Sequence, residues 1–247
     1  MGAGYSIRAR GTSSAEVYIY EAVGDGFFGG VSAAQFTADL RALGAVDQID
    51  VRINSPGGQV FEGMAIYSQL AEHPARIVTH VDGVAASIAS VIAMAGDEII
   101  IAEAGMMMIH QAEGGAVGRA TDLRQMADLL ETVTGSIADV YAARTRQSND
   151  QLLAWMAAET WMTAAEAVER GFADSVAENM RIAAHLDLSR YAFRAVPADL
   201  AARLAPAAPA APSEPVVDHP FRSAAAERIA RMQAKLTLGS ASRRQAA

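Results

Sequence analysis

Ser87, His110 and the glycine pair Gly57–Gly58 are residues whose types and order would suit acyl transfer. A serine attacks a carbonyl only with a base beside it, and the oxyanion that forms needs N–H donors. "INSPGG" (Ile53–Gly58) reads as a strand entering a tight turn before a helix. Its glycines permit backbone geometry that a Cβ would forbid and can leave an amide open to a ligand. "DGVAASIA" follows, with Ser87 near a helix start and the Ile88 amide next to it. Strand ends of an α/β sheet share one edge, so both stretches can face one cleft. The competing reading is structural. "INSPGG" is then only a turn, and Ser87 and Ser90 are small packing residues that bond back to a helix carbonyl.

The choice of base is narrow. The one lysine, Lys235, lies beyond a proline-rich stretch, which leaves His73, His80, His110, His185 and His219. His110 ends the apolar strand "MMMIH", His80 sits on the strand before Ser87, and His73 precedes a proline at an exposed helix end. A histidine base usually has an orienting carboxylate. Glu159 in "AAETW" is one candidate. Asp122, Asp128, Asp139 and Asp150 lie on or beside a long helix, and Asp82 and Asp174 are further alternatives. Spacing does not choose among them.

The elements that would position these groups alternate. Ala15–Glu21, Gln48–Asn54, Arg76–Val81, Glu98–Ala102 and Met106–Gln111 are predicted strands. Ser32–Gly44, Gln59–His73 and Ala85–Ala95 are predicted helices, the first capped by Ser32 and stopped by Gly44. This order implies an α/β domain with mostly parallel pairing. A long amphipathic helix spans Arg119–Arg146, with Leu123, Met126, Leu130, Val133, Ile137 and Tyr141 on one stripe. A short helix capped by Ser148 follows, then a helix, glycine stop and strand over Thr163–Val176. The expected domains are 1–190 as the folded unit, 191–222 as an Ala/Pro-rich disordered linker, and 223–247 as a tail with a short helix at Ser223–Leu236.

Composition removes several classes. The 247 residues, 51% of them hydrophobic, suffice for one sizeable core. A net charge of −8 does not suggest a nucleic-acid partner. The absence of cysteine excludes thiolate nucleophiles, disulfides and thiolate zinc sites. No secretory signal is read at the N-terminus, and no apolar run reaches the roughly 20 residues of a membrane span. No metal, cofactor or membrane association is expected.

"INSPGG", "DGVAAS", "MIHQ" with the glycines and "ATD" after it, and "EAVERGFADSV" come in this order over Val17–Val176. Together they resemble the ClpP family of serine peptidases. "INSPGGQVFEGMAIYSQL", "AASIASVIAMAGDEI" and "MAAETWMTAAEAVERGFAD" are similar to its tailed-phage branch, associated with cutting scaffold or capsid proteins in the prohead. The resemblance implies Ser87 as nucleophile, His110 as base, and the amides of Gly57 and Ile88 as the oxyanion hole. It aligns Glu159 with the family's aspartate, as third member of the triad. It implies the ClpP/crotonase-type spiral of β-β-α units, with Arg119–Arg146 as a projecting handle helix. "EGGAVG" would be an edge strand, with Gly114 and Gly115 binding an extended peptide.

The resemblance further implies a homo-oligomer, since handles in the family interlock two heptameric rings. It places the chain in the host cytoplasm or inside the prohead, with scaffold or capsid protein as substrate. The segment before the first strand does not resemble the loops that dock an ATPase unfoldase, so that partner is not implied. An Arg-Asp pair used between bacterial rings is missing, because Thr160 follows Glu159. A crotonase-type acyl-CoA enzyme and a non-catalytic assembly component on the same fold are the rival readings.

Overall fold

Alternating apolar residues build the central sheet. In the strand Gln48–Ser55, Ile49, Val51 and Ile53 are fully buried, while Asp50 and Arg52 between them point to the other face. The computed structural model describes residues 5–24, 30–177, 188, 191 and 193–198. All fall in the first of two units, Met1–Pro206. The tail 223–247, most of the linker 191–222, and Lys235, His185 and His219 lie outside the described residues.

The strands are β1 (Tyr5–Arg10), β2 (Ser14–Ile19), β3 (Gln48–Ser55), β4 (Arg76–Ala86), β5 (Glu98–Ala102), β6 (Met106–Ile109), β7 (Thr160–Thr163) and β8 (Ser175–Ala177). The helices are α1 (Ala33–Ala42), α2 (Val60–Ala71), α3 (Ile88–Ala93), α4 (Ala120–Thr145), α5 (Asn149–Ala157) and α6 (Ala164–Glu169). Pairing runs β1-β2-β3-β4-β5-β8, parallel throughout except for the β1-β2 hairpin. Strand β4 is shared. Its first half pairs β5 at Val78–Val81, and its end pairs β6 at Val84–Ala86. Strand β6 then pairs β7 antiparallel. The long strand thus carries the chain from the main run of the sheet into its short β6–β7 branch, and Ser87 follows at once.

Local sequence explains most element ends. The Ser32 hydroxyl accepts from the Gln35 amide at the start of α1. Thr163 and Glu166 form a reciprocal capping box on α6. Helix α4 begins where the Asp122 carboxylate accepts from the Arg119 amide. Its 26 residues span about 39 Å at 1.5 Å each. Only the C-terminal half is buried, at Thr134, Ile137, Ala138, Tyr141 and Thr145. Leu123, at the other end of the predicted stripe, is 47% exposed, so the helix projects as a handle.

Several expectations are corrected. Ala85 and Ala86 are not helical. They end β4 and pair with Met107 and Met108, because sheet pairing overrides the helical preference of alanine. Strands β1 and β7 were not predicted; β1 pairs only with β2, and β7 only with β6. "EGGAVG" forms no strand, for residues 111–119 run without a ladder partner before α4. His73 is half-buried rather than exposed, with Nδ1 accepting from the Ala75 amide. No helix among the described residues is long and apolar enough to cross a membrane.

Candidate active site

The turn after β4 fixes Ser87. Its amide donates to the Met108 carbonyl at 3.0 Å, tying it to β6. Its backbone sits at φ 54° and ψ −131°, sparsely populated for any residue but glycine. Although it stands at the cap position of α3, its hydroxyl makes no capping bond. Ser87 Oγ instead lies 2.7 Å from His110 Nε2. His110 follows directly on β6, the strand that pairs with the end of β4. The two strand ends that sequence placed at one sheet edge therefore bring the two side chains together.

Burial pushes the His110 imidazole below its ordinary value. Glu113 and Glu159 pull it back up, and Arg194 adds to the lowering. The ring is therefore neutral near pH 7, and Nε2 can accept the serine proton.

The glycine turn lies against the serine. Gly57 has φ +90°, and a Cβ there would meet the Ala86 carbonyl oxygen and Ser87 Cβ, each at 2.7 Å. Only glycine fits that approach. Its amide, however, donates to Ser55 Oγ at 3.2 Å inside the turn. Gly58 and Ile88 line a cavity of about 190 Å³ together with Ser87 and His110. As the first residue of α3, Ile88 has an amide with no acceptor one turn earlier in the helix. The residues alone pointed to the pair, and the resemblance implied Gly57 as the donor. The pair carries the same signal, and only the fold shows which glycine faces the cavity.

Glu159 is buried, at φ +50° between α5 and β7. It lines a second cavity, of about 440 Å³, that also borders His110 and Gly114. Its carboxylate accepts from the Arg194 amide at 2.8 and 2.9 Å, the Ala195 amide at 2.7 Å and Trp161 Nε1 at 3.2 Å. Burial raises its pKa, but these donors and the nearby His110 outweigh it and hold the group below the ordinary carboxylate range. No hydrogen bond joins it to His110 among the described residues.

Four of the other candidate carboxylates have partners elsewhere. Asp82 pairs with Arg52 and Tyr20, and Asp174 with Arg144 and the Ile99 amide. Asp122 caps α4, and Asp139 accepts from Asn149. His80 Nε2 lies 3.0 Å from Asp50, away from the serine. Ser90 is buried, donating to the Ser87 carbonyl at 2.6 Å and meeting the Tyr141 hydroxyl at 2.7 Å. Gly114 and Gly115 are exposed, and a Cβ on Gly114 would touch Met126 of the handle at 3.0 Å. Tyr141, Tyr191 and Phe193 also line the serine's cavity. The two residues after 190 had been assigned to the linker, and nothing in their local pattern points back to the site.

The family profile described as Clp protease matches residues 4–180. The ATP-dependent Clp protease proteolytic subunit 1 of Leifsonia xyli subsp. xyli is 34% identical over 158 residues, covering 62% of this chain and 80% of that protein. The ATP-dependent Clp protease proteolytic subunit of Bacteroides fragilis is 35% identical over 150 residues, 59% of this chain and 72% of its own length. Subunit 1 from Mycobacterium tuberculosis is 34% identical over 140 residues, 56% of this chain and 70% of that protein.

Proposed function

This chain belongs to the Clp protease family and is a serine-type peptidase, and from that premise we propose that Ser87, His110 and Glu159 are its catalytic triad. The observation that carries the reading is the 2.7 Å separation of Ser87 Oγ and His110 Nε2 beside a cavity. Ser87 attacks the scissile carbonyl as His110 takes its proton. The imidazolium then protonates the leaving amine, and water, deprotonated by the same histidine, hydrolyses the acyl-enzyme. Glu159 orients the imidazole and stabilises its charged form. The Ile88 amide and the Gly57–Gly58 turn stabilise the oxyanion, with Gly58 the glycine that faces the cavity. Removing one such donor typically costs about 3–4 kcal/mol of transition-state stabilisation. Gly114 and Gly115 offer an exposed backbone, without a ladder partner, to an extended peptide.

The biological role proposed is processing of scaffold or capsid protein in phage head maturation, in the host cytoplasm or the prohead. The three long stretches similar to the phage branch support it. Family membership supports a homo-oligomer, built through the projecting α4. The proposed division is a protease domain over 1–190, a linker over 191–222 whose residues 191 and 193–196 pack on that domain, and a tail over 223–247. A non-catalytic shell is disfavoured by the aligned Ser87 and His110.

Co-expression with a scaffold or capsid protein, followed by mass spectrometry, tests the reading. Defined cut sites are expected with the native chain and none with Ser87→Ala. Undiminished cleavage by a folded Ser87→Ala variant overturns the triad. Cleavage of generic peptides but of no capsid-assembly protein overturns the phage role alone.

A further inference from the structure

The carboxylate proposed to orient His110 is already occupied by the chain itself. Glu159 accepts from two successive amides, Arg194 and Ala195, and from the Trp161 indole. A carboxylate offers about four lone-pair sites, and these three N–H donors crowd Oε1, with the Arg194 amide also reaching Oε2. The same short segment reaches the serine's cavity. Phe193 stands edge-on to His110 with ring centroids 6.3 Å apart, and edge-on to Trp161 at 5.4 Å. Tyr191 stacks on Phe193 at 6.0 Å, and both rings line the cavity that holds Ser87. The Arg194 guanidinium reaches Glu113 at 3.4 Å, next to the glycines proposed to receive peptide. Leu188 anchors the segment, 5% exposed among Val84, Ala86, Met106 and Met108.

These contacts come from β4, β6, β7 and the loops beside them and use both backbone and side chains. On the reading proposed above, a peptide substrate lies along the same surface, between the 111–115 run and the serine. The segment and the substrate therefore compete for one place.

We propose that Leu188, Tyr191 and residues 193–196 form an internal latch: Tyr191 and Phe193 cover the peptide cleft beside Ser87 and the Arg194 and Ala195 amides hold the Glu159 carboxylate away from His110, so that only the small fraction of molecules in which the latch has left is active. The proposal rests on the triad reading above. Release frees the carboxylate for His110 Nδ1 and opens the cavity in one step, because one segment does both. No bond is made or broken in the switch. The strained φ of +50° at Glu159 fits a side chain held in place by its surroundings.

Two variants of the full chain release the latch by different means. Ala195→Pro removes an N–H donated to Glu159, and Phe193→Ala removes the ring that bridges His110 and Trp161. Both are assayed on a short fluorogenic peptide, with fluorophosphonate labelling of Ser87 as a second readout. Each is expected to raise kcat/KM and the labelling rate roughly five- to twentyfold, as for an enzyme whose competent state is a small fraction of the whole. Added peptide of the sequence of residues 188–198 should inhibit the released variants competitively. Rates equal to or below the native chain's in both variants, each shown to be folded by circular dichroism, overturn the latch. So does failure of the peptide to inhibit. Glu159→Gln, made alone and with Phe193→Ala, separates this from the triad. Loss of activity on Glu159→Gln without any gain from Phe193→Ala sinks the latch and spares the triad. Full activity of Glu159→Gln in the released background sinks Glu159 as a triad member.

Discussion

The Tyr141 hydroxyl lies 2.7 Å from Ser90 Oγ, and Ser90 Oγ donates to the Ser87 carbonyl at 2.6 Å. The base of the projecting helix α4 is thereby tied to the turn that carries the nucleophile. Burial pushes the Tyr141 phenol far above its ordinary value, so it stays neutral and donates to Ser90. The geometry predicts an asymmetry between two deletions. Tyr141→Phe keeps the buried ring and leaves Ser90 bonded to Ser87, so it should cost about 1 kcal/mol. Ser90→Ala orphans a fully buried phenol and frees the Ser87 carbonyl, so it should cost roughly 2–3 kcal/mol. Urea denaturation measures both. Equal costs would show that the chain of bonds does not act as drawn.

The pH profile of peptide hydrolysis should report His110. Its pKa is lowered from 6.5, with burial the main cause, and Glu113 and Glu159 oppose the lowering. The acid limb of kcat/KM is therefore expected to have its midpoint below pH 6.5. Glu113→Gln removes an opposing charge and should move that midpoint lower still. An upward move would contradict the electrostatics. The same group links pH to stability. The unfolded histidine binds its proton near pH 6.5 and the folded one only at lower pH. The contribution of neutral His110 is thus complete above pH 6.5 and declines as pH falls from there toward the folded pKa.

His110 was legible as the end of an apolar run read as a strand, whereas Ser87 was read at the start of a helix and was joined to His110 by the family resemblance; the structure sets them 2.7 Å apart because β6 pairs with the end of β4. Ser32 and Ser148 were legible as caps because the cap is local chemistry, decided within four residues. What failed to show was long-range. Ala85 and Ala86 follow β6 rather than their own helical preference. Whether Gly57 or Gly58 faces the cavity depends on how the turn packs under Ser87, and adjacent glycines look alike in sequence. The bonds from Arg194 and Ala195 to Glu159 span 35 and 36 residues and use backbone amides, which leave no trace in residue type.

Helix α2 approaches α3 at Gly63, where an added Cβ would stand 2.2 Å from Ile88 Cγ1. No ordinary side chain fits without moving one helix. Gly63→Ala should therefore destabilise by about 1–3 kcal/mol, in spite of alanine's better helix propensity. Ile88 also supplies a proposed oxyanion amide, so kcat should fall about tenfold with a smaller change in KM. Thermal unfolding and steady-state kinetics on the same preparation check both. A more stable and fully active Gly63→Ala would mean that the two helices do not meet as described.

On the opposite face of the sheet, the Arg52 guanidinium grips Asp82 through Nε at 2.8 Å and Nη2 at 2.5 Å, and Tyr20 donates to the same carboxylate. The Asp82 side chain is only 3% exposed. Burial raises its pKa, which Tyr20, Arg52 and His80 oppose. Arg52→Met keeps the length of the side chain and removes the charge, leaving a buried carboxylate with Tyr20 as its main support. At pH 7 this should cost roughly 3 kcal/mol, the scale of a broken buried pair. The cost should shrink on acidification. Without Arg52 the folded Asp82 takes up a proton at a higher pH than in the native chain, while the unfolded group waits until about 3.8. The folded variant thus regains stability relative to the native chain as pH falls through its raised Asp82 pKa. Denaturation of both proteins at pH 7 and pH 5 measures the gap. A gap that widens at pH 5 would show that desolvation of Asp82 is not what Arg52 offsets.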